Sequence, residues 1–426
     1  MAKHDTQSAH LQVAESSKTV AVQIPLPVLG ALTNAENALF DLCVGVGQQV
    51  LGVLMEHDRE SLCGPKGKHD LDRRSVRAGS TRSEVTLGGR RIPIRRLRAR
   101  GAQGELALPS FVFAADRDPL DRHTLAAIAC GVSTRKYARS LDPLSTTEER
   151  SVSKSAVSSR FVALSQQQMT AWLSKPLDNL DVRVLVIDGI VFRDHTILMV
   201  LGIDSGGNKH VLGLREGTTE NSRVAKALLR DLLERGLDGE RARVFIIDGS
   251  KALRVAIDKT FGRLGVVHRC QVHKRRNILG HLPEHLHASV TKVLIEAWDS
   301  PDAKLAKRRL LKLADGLEAK HPGASGSIRE GLDETLTLQC LGLHGVLYRT
   351  LRSTNTIENL NGSVATYTRN VKRWRGGSML LRWVSAAVQE ASQGFRKVRG
   401  YRDLAELVRT LKKIENEEEV TLTQVA

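Results

Sequence analysis

Cysteine is scarce in this sequence, and its spacing fits neither a disulfide framework nor a structural zinc site. The five cysteines are scattered between Cys43 and Cys340, and none forms a C-x-x-C pair. Disulfide-rich secreted domains carry even numbers of cysteines, and four-cysteine zinc sites use closely spaced pairs. We therefore expect a protein of a reducing compartment, the cytoplasm.

Long hydrophobic runs are also missing. The most apolar early segment, residues 28–55, is interrupted by Asn34, Glu36, Asn37 and Asp41. A membrane-spanning helix needs about 20 mostly apolar residues, and the start "MAKHDTQSAHLQ" lacks the apolar core of a secretory signal. We expect no membrane partner, and we interpret residues 28–56 as an amphipathic helix.

Negative charge is in deficit. The chain has 64 Lys and Arg residues against 47 Asp and Glu residues, a formal net charge of +17. Such an excess favours a polyanionic partner, and nucleic acid is the commonest polyanion. A basic soluble enzyme without such a partner is the alternative.

Local patterns divide the chain into six predicted segments. They are an N-terminal helical segment, a basic β-ribbon, a helix-turn-helix DNA-binding region, the first part of an α/β core, an all-α insertion, and the final core helix with a helical tail. The corresponding residues are 1–62, 63–110, 111–180, 181–277, 278–345 and 346–426. Within the first segment, residues 1–25 are expected to be loosely ordered.

The basic ribbon is predicted from "EVTLGGRRIPI". Two arms of alternating apolar residues flank Gly88-Gly89, which is typical of a β-hairpin. Arginines cluster in this region, as a phosphate-contacting ribbon requires, although a solvated basic loop has the same composition. The clustered residues are Arg90, Arg91, Arg95, Arg96, Arg98 and Arg100.

Two stretches of the third segment resemble helix-turn-helix elements. In residues 121–141 an apolar helical run ends near Gly131, and a second helix would carry Arg135, Lys136 and Arg139. In residues 150–165, Ser153 would cap a helix that carries Lys154 and Arg160. Any two-helix hairpin gives a similar pattern, so the basic side chains are what favours DNA contact.

From residue 182 the pattern changes to buried strands. "VRVLVID", "HTILMVLGID" and "NKHVLGL" are followed by a helix over 220–236, the strand "ARVFIID", a helix over 251–261 and the strand "GVVHRC". Three strands, helix, strand, helix, strand predicts an α/β fold with a mixed sheet.

Two of these strands are predicted to end in Asp-Gly, at Asp188 and Asp248. Open α/β sheets bind their ligands at the carboxyl ends of strands, and neighbouring strands lie about 4.8 Å apart. Two carboxylates at that spacing can share one divalent cation or hold a pair of cations. Oxygen ligands suit Mg²⁺ or Mn²⁺. The alternative is that each Asp-Gly only begins a turn.

Glu358, in "STNTIENLNGSV", is a candidate third carboxylate. At 100° per residue it shares a helix stripe with Asn355, Gly362, Ala365 and Arg369. The residues of this stripe are small or polar, with one cation, which is unlike a core face. Taken alone, the segment fits a solvated helix face better than a catalytic position.

"VVHRCQVHKRRN" contains His268, Cys270 and His273. A zinc site would need further ligands, and none stands at a characteristic spacing. The basic run Lys274 to Arg276 favours a DNA-facing edge of the active site, with Cys270 as buried packing.

The order of these stretches resembles the Mutator-like transposases, in their bacterial insertion-sequence branch. The matching segments are "VLVIDGIVFRD", "LGIDSGGNKHVLGLREGTTEN", "VFIIDGSKALRVAI", "HRCQVHKRRN" and "STNTIENLNGS". The resemblance implies a ribonuclease-H-like catalytic domain with an all-α insertion before the final Glu.

It also implies an Asp-Asp-Glu triad of Asp188, Asp248 and Glu358 that holds two Mg²⁺ or Mn²⁺ ions. Further implied DNA-binding or positioning residues are Cys270 and His273 of a C-x-x-H motif, Asn355 of an N-x-x-E motif, and Arg193. The sequence departs from the family in having Ala365 two turns after Glu358, where an Arg is common. Arg369 is a candidate replacement.

From the resemblance we expect a metal-dependent transposase that binds the terminal inverted repeats of an insertion sequence and cleaves and joins DNA. It would act as a dimer or larger synaptic assembly in the bacterial cytoplasm, at the nucleoid. The alternatives are a domesticated, non-catalytic DNA-binding protein and a ribonuclease-H-like nuclease.

Overall fold

The computed structural model describes residues 9–13, 20–24, 36–68, 74–87, 90–116, 154–217 and 222–425. The chain divides into two compact units, residues 1–164 and 165–426. No helix in the described part of the chain is long and apolar enough to cross a membrane.

The first unit contains a strand pair, a long helix and a β-ribbon. Its elements in chain order are β1 (Ala9–Val13), β2 (Val20–Ile24), α1 (Glu36–Cys63), β3 (Ser75–Leu87), β4 (Arg90–Gly101), β5 (Gly104–Leu106), α2 (Pro109–Asp116) and the start of α3 (Lys154–Leu173), which continues into the second unit.

Two features of this unit differ from expectation. β1 and β2 pair antiparallel in a segment that was expected to be loosely ordered, because their alternating, valine-rich sequences suit a strand. Helix α1 continues past the predicted end at residue 56 to Cys63. Its charged final turns retain good helix propensity, and Gly64, with φ of 72°, follows its end.

The predicted hairpin is confirmed. β3 and β4 pair antiparallel, and Leu87 lies opposite Arg90 across the glycine turn. Val85, Leu87 and Ile92 pack on one face against Val44 of α1. This buried face fixes which ribbon side chains remain exposed.

The arginines of the ribbon do not form a uniform phosphate-binding surface. Arg90 is only 3% exposed, and Glu105 forms ion pairs with Arg96 at 2.9 Å and Arg98 at 2.7 Å. The exposed arginines of β4 are Arg91, Arg95 and Arg100. The expectation is therefore wrong for Arg90, whose side chain is buried in the hairpin.

The first helix-turn-helix candidate, with Arg135, Lys136 and Arg139, lies outside the described residues. The second falls on α3, where Lys154 is exposed at the first position and Arg160 is half-buried. Val157 and Phe161 form the buried side of this helix.

The second unit is built on a mixed five-stranded sheet, which confirms the predicted α/β class. Its strands are β6 (Val182–Phe192), β7 (His195–Asp204), β8 (Lys209–Gly217), β9 (Arg243–Ile247) and β10 (Gly265–Arg269), in the spatial order β10-β9-β6-β7-β8. β7 pairs antiparallel with both β6 and β8, whereas β9 pairs parallel with both β6 and β10.

Helices cover both faces of this sheet. The helices are α4 (Ser222–Glu234), α5 (Lys251–Phe261), α6 (Gln271–Leu279), α7 (Glu284–Trp298), α8 (Ala303–Glu318), α9 (Pro322–Arg329), α10 (Leu332–Thr335), α11 (Thr337–Cys340), α12 (Gly345–Leu351), α13 (Asn355–Thr368), α14 (Gly377–Gln393) and α15 (Leu404–Val425).

The central strand β6 explains why its sequence is a continuous apolar run. Val184 and Val186 pack with Ile357 of α13 on one face of the sheet, while Leu185 and Ile187 pack on the other face in a cluster that includes α4 and α5. A strand buried on both faces has no polar alternation. Helices α6 to α10 share a separate apolar cluster.

Candidate active site

Asp188 and Asp248 are brought together by the register of two parallel strands. Val184 pairs with Val244, and Val186 pairs with Ile246. The same register, continued by two residues, sets Asp188 opposite Asp248. Because adjacent strands lie about 4.8 Å apart, this register directs the two aspartates to the same edge of the sheet.

The two Asp-Gly pairs have different local structures. Asp188 lies inside β6, which continues to Phe192, so the expected strand end and the alternative of a turn are both wrong there. Asp248 follows the end of β9 and does begin a turn, in which its Oδ1 accepts a hydrogen bond from the Ser250 backbone N–H at 2.9 Å. Ser250 then caps α5.

Gly249 is required by this turn. Its φ is 107°, and a Cβ at this position would overlap the guanidinium of Arg269. Arg269 is 6% exposed and forms an ion pair with Glu330 at 3.3 Å, so it has little room to move. The glycine thus sets the backbone direction immediately after Asp248.

We expect Gly249→Ala to destabilise the protein by about 2 kcal/mol, because it combines an unfavourable φ with a steric overlap. Gly316→Ala is the matched control: Gly316 lies in α8, and its added Cβ would meet no atom within 4 Å beyond the backbone of its own helix. That change is expected to stabilise by about 0.5–1 kcal/mol. Urea unfolding monitored by circular dichroism measures both, and equal shifts for the two variants would contradict this account of Gly249.

Helix α13 brings Glu358 to the same edge of the sheet. Asn361, one turn after Glu358, donates from Nδ2 to Asp188 Oδ2 at 2.8 Å. Residues three apart on a helix are surface neighbours. The Asn361 contact therefore positions Glu358 near Asp188, although the two carboxylates are far apart in the sequence.

Glu358 is held by groups from two helices. Thr354 Oγ1 donates to Glu358 Oε1 at 2.6 Å, and His273 Nδ1 lies 3.8 Å from the same oxygen. A hydrogen bond with Cys270 raises the pKa of His273. Burial opposes this shift, and the nearby carboxylates of Glu358 and Asp248 add to it. His273 therefore lies in the field of both Glu358 and Asp248.

Cys270 is fully buried beneath Thr354, the residue whose hydroxyl holds Glu358. The backbone N–H and Oγ1 of Thr354 both lie 3.4 Å from its sulfur, and its own N–H donates to Ile247 O at 2.8 Å. Burial alone would raise the pKa of the Cys270 thiol, but hydrogen bonds with His273 and Thr354 outweigh burial and lower it. Cys270 thus ties the ends of β9 and β10 to the start of α13.

The basic run after His273 is only partly available to DNA. Lys274 is 1% exposed, and its Nζ donates to the backbone carbonyl of Glu330. Burial lowers the pKa of Lys274 to about 8. The expected DNA-facing edge therefore does not include Lys274, whereas Arg276 is exposed.

The fit of a metal ion to this site is a matter of donor chemistry and geometry. Three carboxylates are hard oxygen donors of the kind that Mg²⁺ and Mn²⁺ bind. Among the described residues, however, no three His, Cys, Asp or Glu side chains are arranged so that they form a ligand group. Asp188 and Glu358 instead accept hydrogen bonds from Asn361 and Thr354. The donor atoms therefore suit these ions, while the carboxylates of Asp188 and Glu358 are hydrogen-bonded to neighbouring side chains.

The remaining predicted site residues lie around this centre. Asn355 is exposed at the first position of α13, one turn before Glu358. Arg193 occupies the turn after β6 with φ of 53°, donating to Lys372 O at 3.2 Å. Arg369 lies at the opposite end of α13 from Asn355. With a rise of 1.5 Å per residue, it is about 16 Å from Glu358 along the helix axis. Asn355 is therefore near the carboxylates, whereas Arg369 is distant.

Sequence reasoning missed Thr354 and Asn361, which contact the candidate carboxylates directly. Both stand at helical spacing from Glu358, four residues before and three residues after it. That spacing was the available signal, because such residues are neighbours on a helix surface.

A mixed α/β unit that carries Asp188, Asp248 and Glu358 at one edge of its sheet is consistent with an enzyme that acts on nucleic acid. The family model "Transposase, Mutator family" matches residues 31–398. The chain therefore belongs to the Mutator family of transposases.

Curated relatives of similar length are transposases of bacterial insertion sequences. The chain is 26% identical over 396 residues to the transposase for IS1081 of Mycobacterium tuberculosis, covering 89% of this chain and 91% of the relative. It is 26% identical over 407 residues to the transposase for ISRM5 of Rhizobium meliloti, covering 92% and 97%. It is 28% identical over 244 residues to the transposase for IS256 in transposon Tn4001 of Staphylococcus aureus, covering 55% and 60%.

Proposed function

We propose that this protein binds the terminal inverted repeats of an insertion sequence and catalyses metal-dependent DNA cleavage and strand transfer. Two observations carry the proposal: the β6–β9 register, which leads to Asp188 and Asp248, and the bond to Asp188 from Asn361, one turn after Glu358. Family membership supports the same activity.

The proposed catalytic domain is ribonuclease-H-like. Its support is the sheet, in which three antiparallel strands in chain order are followed by two parallel strands on the side of β6. The helical chain between β10 and α13 corresponds to the proposed all-α insertion.

Asp188, Asp248 and Glu358 would hold the two proposed Mg²⁺ or Mn²⁺ ions. Divalent ions at such a site supply Lewis-acid activation of the attacking oxygen and stabilisation of the leaving oxygen. The contribution of the protein is to position the carboxylates. Asn361 holds Asp188, the Asp248 turn fixes the second carboxylate, and Thr354 and His273 hold Glu358.

Cys270 and His273 act in this proposal as positioning residues. Cys270 is fully buried and does not contact DNA itself. Its role is to position His273 and Thr354, with which it forms hydrogen bonds. His273 is exposed enough to approach bound DNA, and Asn355 is exposed beside Glu358.

Recognition of the element ends is assigned to the first unit. Its exposed ribbon arginines, Arg91, Arg95 and Arg100, and Lys154 of α3 are available for phosphate contact. The proposed helix-turn-helix contacts of Arg135, Lys136 and Arg139 belong to the same region. Because two ends must be cut in concert, we propose a homodimer or larger synaptic assembly, acting in the cytoplasm at the nucleoid.

The test is cleavage of duplex DNA that carries the inverted repeats flanking the gene. We expect strand cleavage at the repeat end with Mg²⁺ or Mn²⁺. With Ca²⁺ we expect binding and little cleavage, because Ca²⁺ adopts larger and less regular coordination. Duplex of scrambled end sequence is the control. Tight end binding without cleavage in any metal would instead identify a domesticated DNA-binding protein, and cleavage of both duplexes alike would identify a nuclease.

A further inference from the structure

A groove of about 940 Å³ runs along α13 on a face next to the one that carries Glu358. Its walls come from the start of β8, from α12 and α13, and from the segment between α14 and the turn at Tyr401. All of these elements belong to the second unit.

The lining of the groove is strongly cationic. Five basic side chains surround it, and no acidic side chain is present among the described residues that line it. Like charges in such proximity repel each other, so an uncompensated group of this kind favours an anionic partner. The basic residues are Lys209, Arg349, Arg396, Lys397 and Arg399.

These cations are not neutralised by the surrounding structure. Arg349, Arg396 and Arg399 are exposed and form no ion pair with any residue that the structure describes. Lys209 is half-buried with its Nζ 4.9 Å from the centre of the Phe395 ring. Burial lowers the pKa of Lys209, so a nearby anion would stabilise its charged form.

The segment that carries three of the cations is anchored in place. The Val398 N–H donates to Gly207 O at 2.9 Å, and Thr350 Oγ1 donates to Arg399 O at 3.0 Å. Gly400 packs so closely on Leu347 that a Cβ would overlap its backbone. The cations therefore project from a fixed backbone, which lowers the entropy lost on binding.

The floor of the groove suits close approach of a phosphate backbone. Asn355, Asn359 and Ser363 of α13 line it with short hydrogen-bonding side chains. Side chains of this kind, together with Arg and Lys, make most protein contacts to DNA phosphates and sugars. Asn355 is one helical turn from Glu358, so the groove begins beside the candidate active site.

We propose that this groove binds the sugar–phosphate backbone of DNA as it leaves the candidate active site. The inference rests on the proposed function, because it takes the bound polyanion to be the DNA that the carboxylates cleave. A small anionic ligand has the same charge but does not explain the continuity between the groove and Glu358.

The first test measures protection of Lys397 from acetylation in the full-length protein, with DNA carrying one element end and its flank. We expect Lys397 to react roughly tenfold more slowly in the complex, because phosphate contact shields the amine. Lys304 and Lys312, exposed on α8, serve as controls and should react at unchanged rates. Equal protection of Lys397 by inorganic phosphate or a free nucleotide would overturn the proposal in favour of a small-anion site.

The second test compares two triple variants of equal charge change. Arg349→Ala/Arg396→Ala/Arg399→Ala is expected to weaken DNA binding about tenfold or more and to reduce the slope of log K against log salt by about 2–3. Lys304→Ala/Arg308→Ala/Lys312→Ala removes exposed α8 charges and should change both quantities little.

The outcomes separate this proposal from the proposed function. If the wild-type protein binds and cleaves end DNA but Lys397 stays unprotected and the groove variant matches the α8 variant, the groove proposal alone is overturned. If Lys397 is protected and the salt slope falls although no cleavage occurs, the groove proposal stands and the catalytic function fails. Absence of DNA binding by the wild-type protein overturns both.

Discussion

Replacing Asp188, Asp248 or Glu358 by its amide is expected to reduce DNA cleavage by about 1,000-fold or more. Each change preserves the side-chain volume but removes one negative charge, and loss of a metal-binding carboxylate costs several kcal/mol of transition-state stabilisation. Cleavage of end-carrying duplex with Mg²⁺ measures the rate, and circular dichroism verifies that each variant folds. The variants should retain DNA binding, since these residues contribute no cationic phosphate contact.

Asp194→Asn is the matched control for this series. Asp194 is an exposed carboxylate in the turn after β6, and its removal should leave cleavage unchanged. Affinity for Mn²⁺, measured by electron paramagnetic resonance, should fall for the three site variants and remain unchanged for Asp194→Asn. Wild-type cleavage by all three folded site variants would rule out this site.

The second large effect is expected at Asn361. Its Nδ2 donates to Asp188 Oδ2, and its buried Oδ1 has no hydrogen-bond partner among the described residues. Groups that orient a metal-binding carboxylate typically contribute about 10–100-fold to metal affinity or activity. We expect Asn361→Ala to lower the cleavage rate and weaken Mn²⁺ binding by about that factor, with DNA affinity unchanged.

Thr366→Ala provides the control on the same helix, because Thr366 is exposed and its hydroxyl donates only to the Gly362 carbonyl. A role confined to helix stability would lower the unfolding midpoint of Asn361→Ala without altering Mn²⁺ affinity. Unchanged Mn²⁺ affinity and cleavage in a folded Asn361→Ala protein would show that the bond to Asp188 has no positioning role.

Much of the second unit was predictable from local sequence patterns. The strands around Asp188 and Asp248 are short apolar runs, and α4 and α5 have helical periodicity, so the mixed α/β fold followed from their order. The glycine hairpin was equally clear, because two-residue turns of this kind favour glycine. These signals lie within a few residues of the structure they specify.

Other features were beyond the reach of such patterns. Arg90 and Lys274 stand in basic runs that suggested exposure, yet both are buried. The end of β6 was misplaced because Asp-Gly is typical of turns, whereas pairing with β7 continues the strand to Phe192. In each case tertiary contacts outweighed the local preference.

The sequence alone determined the positive charge, the strand and helix order, and the motifs that carry membership of the Mutator family. Only the tertiary structure decided that Asn361 meets Asp188 across 173 positions and that Thr354 contacts Cys270 across 84. It also assembled the groove from four separate segments. Periodicity reports the environment of each element along the chain. Contacts between distant elements depend on how the helices pack on the sheet, which no local pattern encodes.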